Sequence, residues 1–436
     1  MRAMPGAVGG LIGTCAVAAP LTPQQHDAVL AGVDGAAVAT DAQAIWGFAE
    51  VGCQERKSAA LFAARLRKAG FEVTMGVAGE PTGFIARYRN GVGPVLAITA
   101  EYDALPGAAQ RAAPPKTPIA GQDAGHGCGH DLLGAASVCA AIAVKAWMQA
   151  PGTPGELRVY GTPAEEGGSG KVYMVRDRLF KDVDVALHWH PGNANSAAQS
   201  ITMANSNSKF RFHGFSAHAA ANPDKGRCTL DAVEIMDVAT NFMREHIPDR
   251  TRVHYVITSG GGAPNVVPGY AEVFYYVLSY DPRIVLSVME RIKKAAQGAT
   301  LATEATSEFE QIGGVYAMLP NDTLSQVIDR NLRSLGGITW TAEETNFATT
   351  LAKTLLPSCP SLASVGTIEP CSVRTSPDAA GASTDMSDVS WHVPAGGLVA
   401  TTFVPGSPGH SWQNAAAAAG ISSGTKGAVL AARTSG

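Results

Sequence analysis

Residues 125–134 read GHGCGHDLLG, which puts a thiol and two imidazoles just before a small-residue helical run. Three further segments end in donors of the same kinds: "LRVYGTPAEEGG" carries Glu165 and Glu166, "DVDVALHWHPG" carries His188 and His190, and "GGLVATTFVPGSPGH" ends at His410. Asp103 follows "VLAITAEY". Each segment begins as an apolar run of strand length and breaks at Gly or Pro. In a parallel sheet, all of these groups would sit in loops at the carboxyl ends of strands, where ligands gather. Thiolate, imidazole and carboxylate together make the donor set that a borderline divalent ion such as Zn²⁺ or Mn²⁺ accepts. Singly each is ordinary, because a histidine after a strand is usually structural and paired glutamates usually make a solvated turn. Their joint occurrence at four strand ends points to a metal. In a metal hydrolase one of two adjacent glutamates can ligate while the other takes a proton from water, and the glycines of "PAEEGG" would let the loop turn sharply there.

A rival chemistry needs no metal. Cys128 at a helix start, two residues before His130, would be a thiol nucleophile with a lowered pKa. That reading leaves Glu165, Glu166, His190 and His410 without a role.

The elements that must position these groups alternate. From about residue 23 to 201, helix-like runs such as "AALFAARLRKAGF" and "GAASVCAAIAVKAWM" separate apolar strands, which predicts an α/β fold with a mostly parallel sheet and flanking helices. Between 202 and 315 the pattern becomes half-buried strands, "KFRFHGFSAHAAANPDKG", "TRVHYVITSGGGAPNVVPG" and "YAEVFYYVLSYD", with two helical runs. This predicts an inserted α+β unit, after which the first pattern resumes over 316–436. Residues 1–22 read either as a secretory signal peptide or as an N-terminal extension; the first implies a periplasmic or secreted protein, the second a cytoplasmic one.

Composition narrows the partners. With 46% hydrophobic and 16% charged residues in 436, the chain is long enough for two cores, and a net charge of −4 without a basic stripe argues against nucleic acid. No stretch reads as a membrane span. Seven scattered cysteines without a C-x-x-C pair fit neither a disulfide framework nor a structural zinc site, and Cys53, Cys139 and Cys228 read as small core residues.

The segments "AEYDALPG", "GHGCGHDLLGAAS", "GTPAEEGG", "DVALHWHPG", "FSAHAAANPDKG", "GGGAPNVVPGYAEVFYY", "STDMSDVSW" and "PGHSWQ" together resemble the M20 metallopeptidase and amidohydrolase family, in particular its p-aminobenzoyl-glutamate hydrolase branch. The resemblance implies two divalent metal ions, zinc or manganese, in a zinc-exopeptidase-like catalytic domain. Cys128 would bridge them, His130 and His190 would complete one, and Glu166 with His410 the other. His190, directly before the proline, is preferred over His188. Glu165 would be the general base and Asp103 the group orienting a ligand. The insertion would be a lid that also forms a homodimer, with His218 and Asn265 reaching a catalytic site to bind substrate or polarise its carbonyl, His218 commonly that of the partner subunit. The implied reaction is hydrolysis of small N-acyl or N-aroyl amino acids or dipeptides, with a non-catalytic or partner subunit of a heteromeric enzyme as the alternative. One departure stands out. Relatives often carry an arginine where this chain has Leu278, so a free-carboxylate substrate would need Arg283 or Arg211 in its place.

Overall fold

The computed structural model describes residues 23–149, 153–355, 360–379, 381–418 and 420–436; segment 1–22, read above as a signal peptide or extension, lies outside them. Among these residues the first sheet has six strands: β1 (Glu72–Met75), β2 (Phe84–Asn90), β3 (Val95–Ala100), β4 (Gly155–Gly161), β5 (Val185–Gly192) and β12 (Ala395–Thr401). Their order is β1-β2-β4-β3-β5-β12. β3 pairs in parallel with both β4 and β5, and β5 in parallel with β12, while β1 and β2 form an antiparallel edge. The parallel strands therefore all point their carboxyl ends, and the donors that follow them, the same way.

The helix His130–Met148 lies against this sheet and is buried along nearly its whole length. It is long and apolar enough to cross a membrane by composition, yet its residues belong to the main core with Phe62, Ile98, Leu157 and Val159. Alanines and a glycine allow that close packing. A Cβ at Gly134 would lie 2.4 Å from the Glu101 carbonyl oxygen, so the helix can approach the end of β3 only with glycine there. That approach brings His130, at its first position, against Glu101 and Asp103.

The second sheet is antiparallel, in the order β10-β7-β9-β8, with β7 Ala204–His213, β8 Arg252–Ser259, β9 Tyr270–Ser279 and β10 Thr306–Val315. β10 is a strand that periodicity had not revealed. Phe210, Phe212, Val273, Tyr275 and Val277 face the helices Thr229–Met243 and Pro282–Thr303 and form a separate core with Val233, Met236, Val288 and Ile292. Strand alternation turns Asn205, Asn207, Lys209, Tyr276 and Leu278 to the opposite, helix-free face. Two-residue strands β6 (Gln199–Ser200) and β11 (Val373–Arg374) pair in parallel beside the chain crossing between the sheets.

Of the cysteines read as core, Cys139 is buried, Cys228 half-buried and Cys53 exposed. Cys53 has a left-handed backbone (φ +64°), a turn position that a periodicity argument could not detect.

Candidate metal centre

The groups that the sequence scattered over five segments converge. Cys128, His130 and His190 place ligand-type atoms within 4.8 Å of one another, and so do Cys128, Glu166 and His410. Cys128 is common to both sets. Cys128 Sγ lies 3.4 Å from His190 Nε2, and His410 Nε2 lies 3.4 Å from Glu166 Oε2. Two donors on one ion, with bonds of about 2.1 to 2.3 Å and near-tetrahedral angles, stand roughly 3.4 to 3.6 Å apart, so these gaps suit shared coordination.

The imidazoles are also pre-set for it. His130 Nδ1 is 2.8 Å from Asp103 Oδ1, and His190 Nδ1 is 2.7 Å from the Pro191 carbonyl oxygen. Each acceptor fixes the proton on Nδ1 and leaves Nε2 as a lone-pair donor, the usual arrangement behind a metal-bound histidine. Asp103 does a second job, because its Oδ2 accepts a hydrogen bond from the Glu166 backbone N–H at 2.9 Å. His130 Nε2 and Glu166 Oε1 are buried with no hydrogen-bond partner among the described residues. Orphaned polar atoms of this kind are costly unless a ligand satisfies them, and here they belong to the donor set itself. The residues present therefore fit a divalent metal centre.

His188 shares β5 with His190 but does not join the cluster. It pairs across the sheet with Gly397, where a Cβ would meet the imidazole ring at 2.5 Å, and burial lowers its pKa to about 4. Burial, followed by Glu166, pushes the Cys128 thiol up, the reverse of the lowering expected from a helix N-terminus and of what a free thiol nucleophile requires.

The loop carrying the paired glutamates turns differently from expectation. Its left-handed residues are Ala164 and Ser169, both at φ +57°, while Gly167 and Gly168 keep ordinary backbone angles. Gly168 matters for space, since a Cβ there would lie 2.7 Å from the Ala164 Cβ. A non-glycine held in this region directly before Glu165 is the kind of backbone strain that accompanies functional sites. Burial first, then Glu101, Asp385 and Glu166, raise the Glu165 carboxyl well above the usual range, so it can carry a proton.

Three residues near the site had no role in the sequence reading. Glu101 Oε2 stands 3.2 Å from His130 Nε2, and Glu101, His130 and Glu165 form a third close group. Lys171, fully buried, places Nζ 2.6 Å from Glu101 Oε1 and 2.6 Å from Asp385 Oδ1. The available signal was spacing: Glu101 lies two residues before Asp103, hence on the same side of an extended chain, and Lys171 and Asp385 follow "PAEEGG" and open "DMSDVSW". His218 is in none of the close donor groups and forms an isolated bridge with Val266, next to Asn265. His218 and Asn265 are both exposed; His218 Nδ1 accepts from the N–H groups of Ala220 and Ala221, and the Asn265 carbonyl accepts from Ala219. Neither arginine named as a substitute for Leu278 is free. Arg211 pairs with Glu272 and Glu310, and Arg283 with Asp281.

A separate cavity of about 680 Å³, bordered by Gln43, Thr339, Lys426 and Arg433, contains none of the sulfur, imidazole or carboxylate donors of the cluster. The chemistry points to the strand-end site.

A parallel α/β sheet with such donors at its strand ends, next to an antiparallel sheet backed by helices, is the architecture of a metal-type hydrolase. The chain belongs to peptidase family M20/M25/M40, whose family model matches residues 97–433, and is thus a hydrolase of amide or peptide bonds. It is 40% identical over 417 residues to one of the p-aminobenzoyl-glutamate hydrolase subunits of Escherichia coli K12, covering 90% of this chain and 86% of that protein. Solved structures share the fold: an aminobenzoyl-glutamate utilization protein from Klebsiella pneumoniae (TM-score 0.63, 19% identity, 94% of this chain and 98% of that one). Another is a Bacillus subtilis protein described as a dinuclear metal binding peptidase (TM-score 0.53, 16% identity, 91% and 97%).

Proposed function

We propose that this chain is a two-metal amidohydrolase of small N-acyl or N-aroyl amino acids or dipeptides, with amides of the p-aminobenzoyl-glutamate type as the first substrates to test. One observation carries the reading: two donor sets share Cys128, and their His130 Nε2 and Glu166 Oε1 atoms are buried without a hydrogen bond among the described residues. Cys128, His130 and His190 would hold one ion, and Cys128, Glu166 and His410 the other. When bound, such ions supply Lewis acidity, lowering the pKa of water at the site and polarising the amide carbonyl.

The chain's own groups do the rest. Asp103 keeps His130 in the ligating tautomer and anchors the Glu166 backbone. Glu165, adjacent to the ligand set and partly open to solvent, accepts a proton at its carboxylate from the attacking water and returns it to the leaving nitrogen, so the amine departs neutral.

A homodimer through the second sheet is supported by apolar surface there. Ile235, Val238 and Phe242 project from one side of the helix Thr229–Met243, and Val256 and Ile257 lie exposed on the edge strand β8. In such a pair, His218 would serve the partner's site. A heteromeric assembly is the second reading, favoured because the E. coli relative is named as one subunit of a hydrolase.

The test is chelation of the purified chain. Hydrolysis of p-aminobenzoyl-glutamate should stop and return with Mn²⁺ or Zn²⁺. Full turnover in a sample verified as metal-free would overturn the proposal.

A further inference from the structure

Glu55 stands directly before the helix Arg56–Lys68, where a short polar side chain normally caps the first turn, yet its carboxyl makes no cap hydrogen bond. Glu50 caps that helix instead, accepting from the backbone N–H groups of Lys57 and Ser58 at 3.0 and 2.9 Å. The Glu55 side chain turns inward and is completely buried. Its Oε1 accepts a hydrogen bond of 2.8 Å from the Ala164 backbone N–H, and its Oε2 one of 2.9 Å from the Thr82 hydroxyl. The Thr82 carbonyl in turn accepts from the Tyr102 hydroxyl at 2.7 Å, so the group is tied to the strand end that carries Glu101 and Asp103. Neither donor to Glu55 is a cation, and burial, followed by Asp103, lifts its carboxyl to about 7. A carboxyl taken out of water on such terms destabilises the fold unless it has a use.

The place of Ala164 supplies that use. It is the left-handed residue directly before Glu165, and its own carbonyl accepts from Gly168 and Ser169 at 2.8 and 2.7 Å, which closes the glutamate loop. On the other side, Asp103 holds the Glu166 N–H. The residues flanking Glu165 are thus each tied by their N–H to a buried carboxyl group, and a strained backbone angle persists only where its surroundings enforce it. We infer that Glu55 is a positioning residue for the proposed hydrolysis, its carboxyl holding the Ala164 N–H and with it the turn that aims Glu165, while Asp103 keeps Glu166 in the donor set. The inference rests on the amidohydrolase reading, in which Glu165 moves the proton.

Three substitutions separate reach from charge. Glu55→Met fills similar space without an acceptor, Glu55→Gln keeps an oxygen for Ala164 but no charge, and Glu55→Asp keeps the charge but falls one methylene short. Hydrogen exchange of the segment 162–169, followed by mass spectrometry, reads the anchor without turnover. Exchange there should quicken roughly tenfold in Glu55→Met and Glu55→Asp and stay near wild type in Glu55→Gln. With p-aminobenzoyl-glutamate as the probe, kcat should fall roughly 10²-fold in Glu55→Met, the scale of a misplacement of about 1 Å, with metal content unchanged. Glu55→Asp should fall in the same direction, and Glu55→Gln should stay within about threefold of wild type. Added to Glu165→Gln, Glu55→Met should change the residual kcat little, because the group it aims no longer accepts the proton. A Glu55→Met kcat within twofold of wild type would overturn the inference, as would loss of metal in that chain, a Glu55→Gln chain as slow as Glu55→Met, or an equal loss in the Glu165→Gln background. Should Glu55→Met not fold, wild-type kcat and exchange in Glu55→Asp overturn it. Failure of the underlying reading looks different: it would appear as wild-type turnover that survives verified removal of metal.

Discussion

Lys171 is the most informative place to perturb the site without touching a proposed ligand. Its ammonium is fully buried between Glu101 and Asp385, 2.6 Å from each, and its backbone N–H donates to Asp385 as well. Burial alone would raise the Glu101 carboxyl, yet Lys171 and then His130 outweigh it and hold the group at about 2 against an ordinary 4.5. That difference corresponds to about 3 kcal/mol of stability at neutral pH. Because the folded value is depressed, the contribution is present above about pH 4.5 and is lost as pH falls towards 2. Lys171→Met leaves two buried carboxylates without their cation, and breaking a buried pair this way costs about 3 to 5 kcal/mol. In the variant the sign for Glu101 reverses: desolvated and facing Asp385, whose carboxyl burial already raises, it would take up a proton on folding, so the deficit should be largest near pH 8 and shrink towards pH 5. Urea unfolding of metal-free wild type and variant, followed by tryptophan fluorescence at several pH values, measures this directly. A deficit below 1 kcal/mol, or one that grows on acidification, would refute the account of the buried cluster.

Glu165→Gln should retain wild-type metal content but lose kcat by about 10² to 10⁴-fold, whereas Glu166→Ala should lose metal and activity together; elemental analysis beside kinetics separates them, and the opposite pattern would exchange the two roles. His190→Ala should lose metal while His188→Ala keeps it, since only His190 approaches Cys128; equal metal loss in both would count against that division. If His218 serves a partner's site, mixing inactive His218→Ala and Glu165→Gln chains should regenerate activity through subunit exchange, and no recovery despite demonstrated exchange would place His218 outside the partner's chemistry.

Much of this site was legible because its chemistry is local in sequence. "GHGCGHD", "PAEE", "HWHP" and "PGH" each follow an apolar strand, and parallel pairing of β3, β4, β5 and β12 carries the strand ends to one edge of the sheet. The residue types alone named a divalent metal centre, and the M20 likeness extended over most of the chain. Contacts between distant segments were not legible. Glu101, Lys171 and Asp385 come from three separate stretches, and a buried ion cluster leaves no periodic trace, because its partners are chosen by where a strand end, a helix start and a loop meet. The same holds for Glu55 and Ala164, which lie 109 positions apart and meet where a helix start faces a strand-end loop. Left-handed Ala164 and Cys53 defied residue preference because tertiary contacts fixed their backbone. Sequence by itself determined the donor types and the strands that carry them. Only the tertiary structure decided which atoms face one another, since a hydrogen bond or ion pair depends on distances of a few ångströms that the packing of whole elements sets.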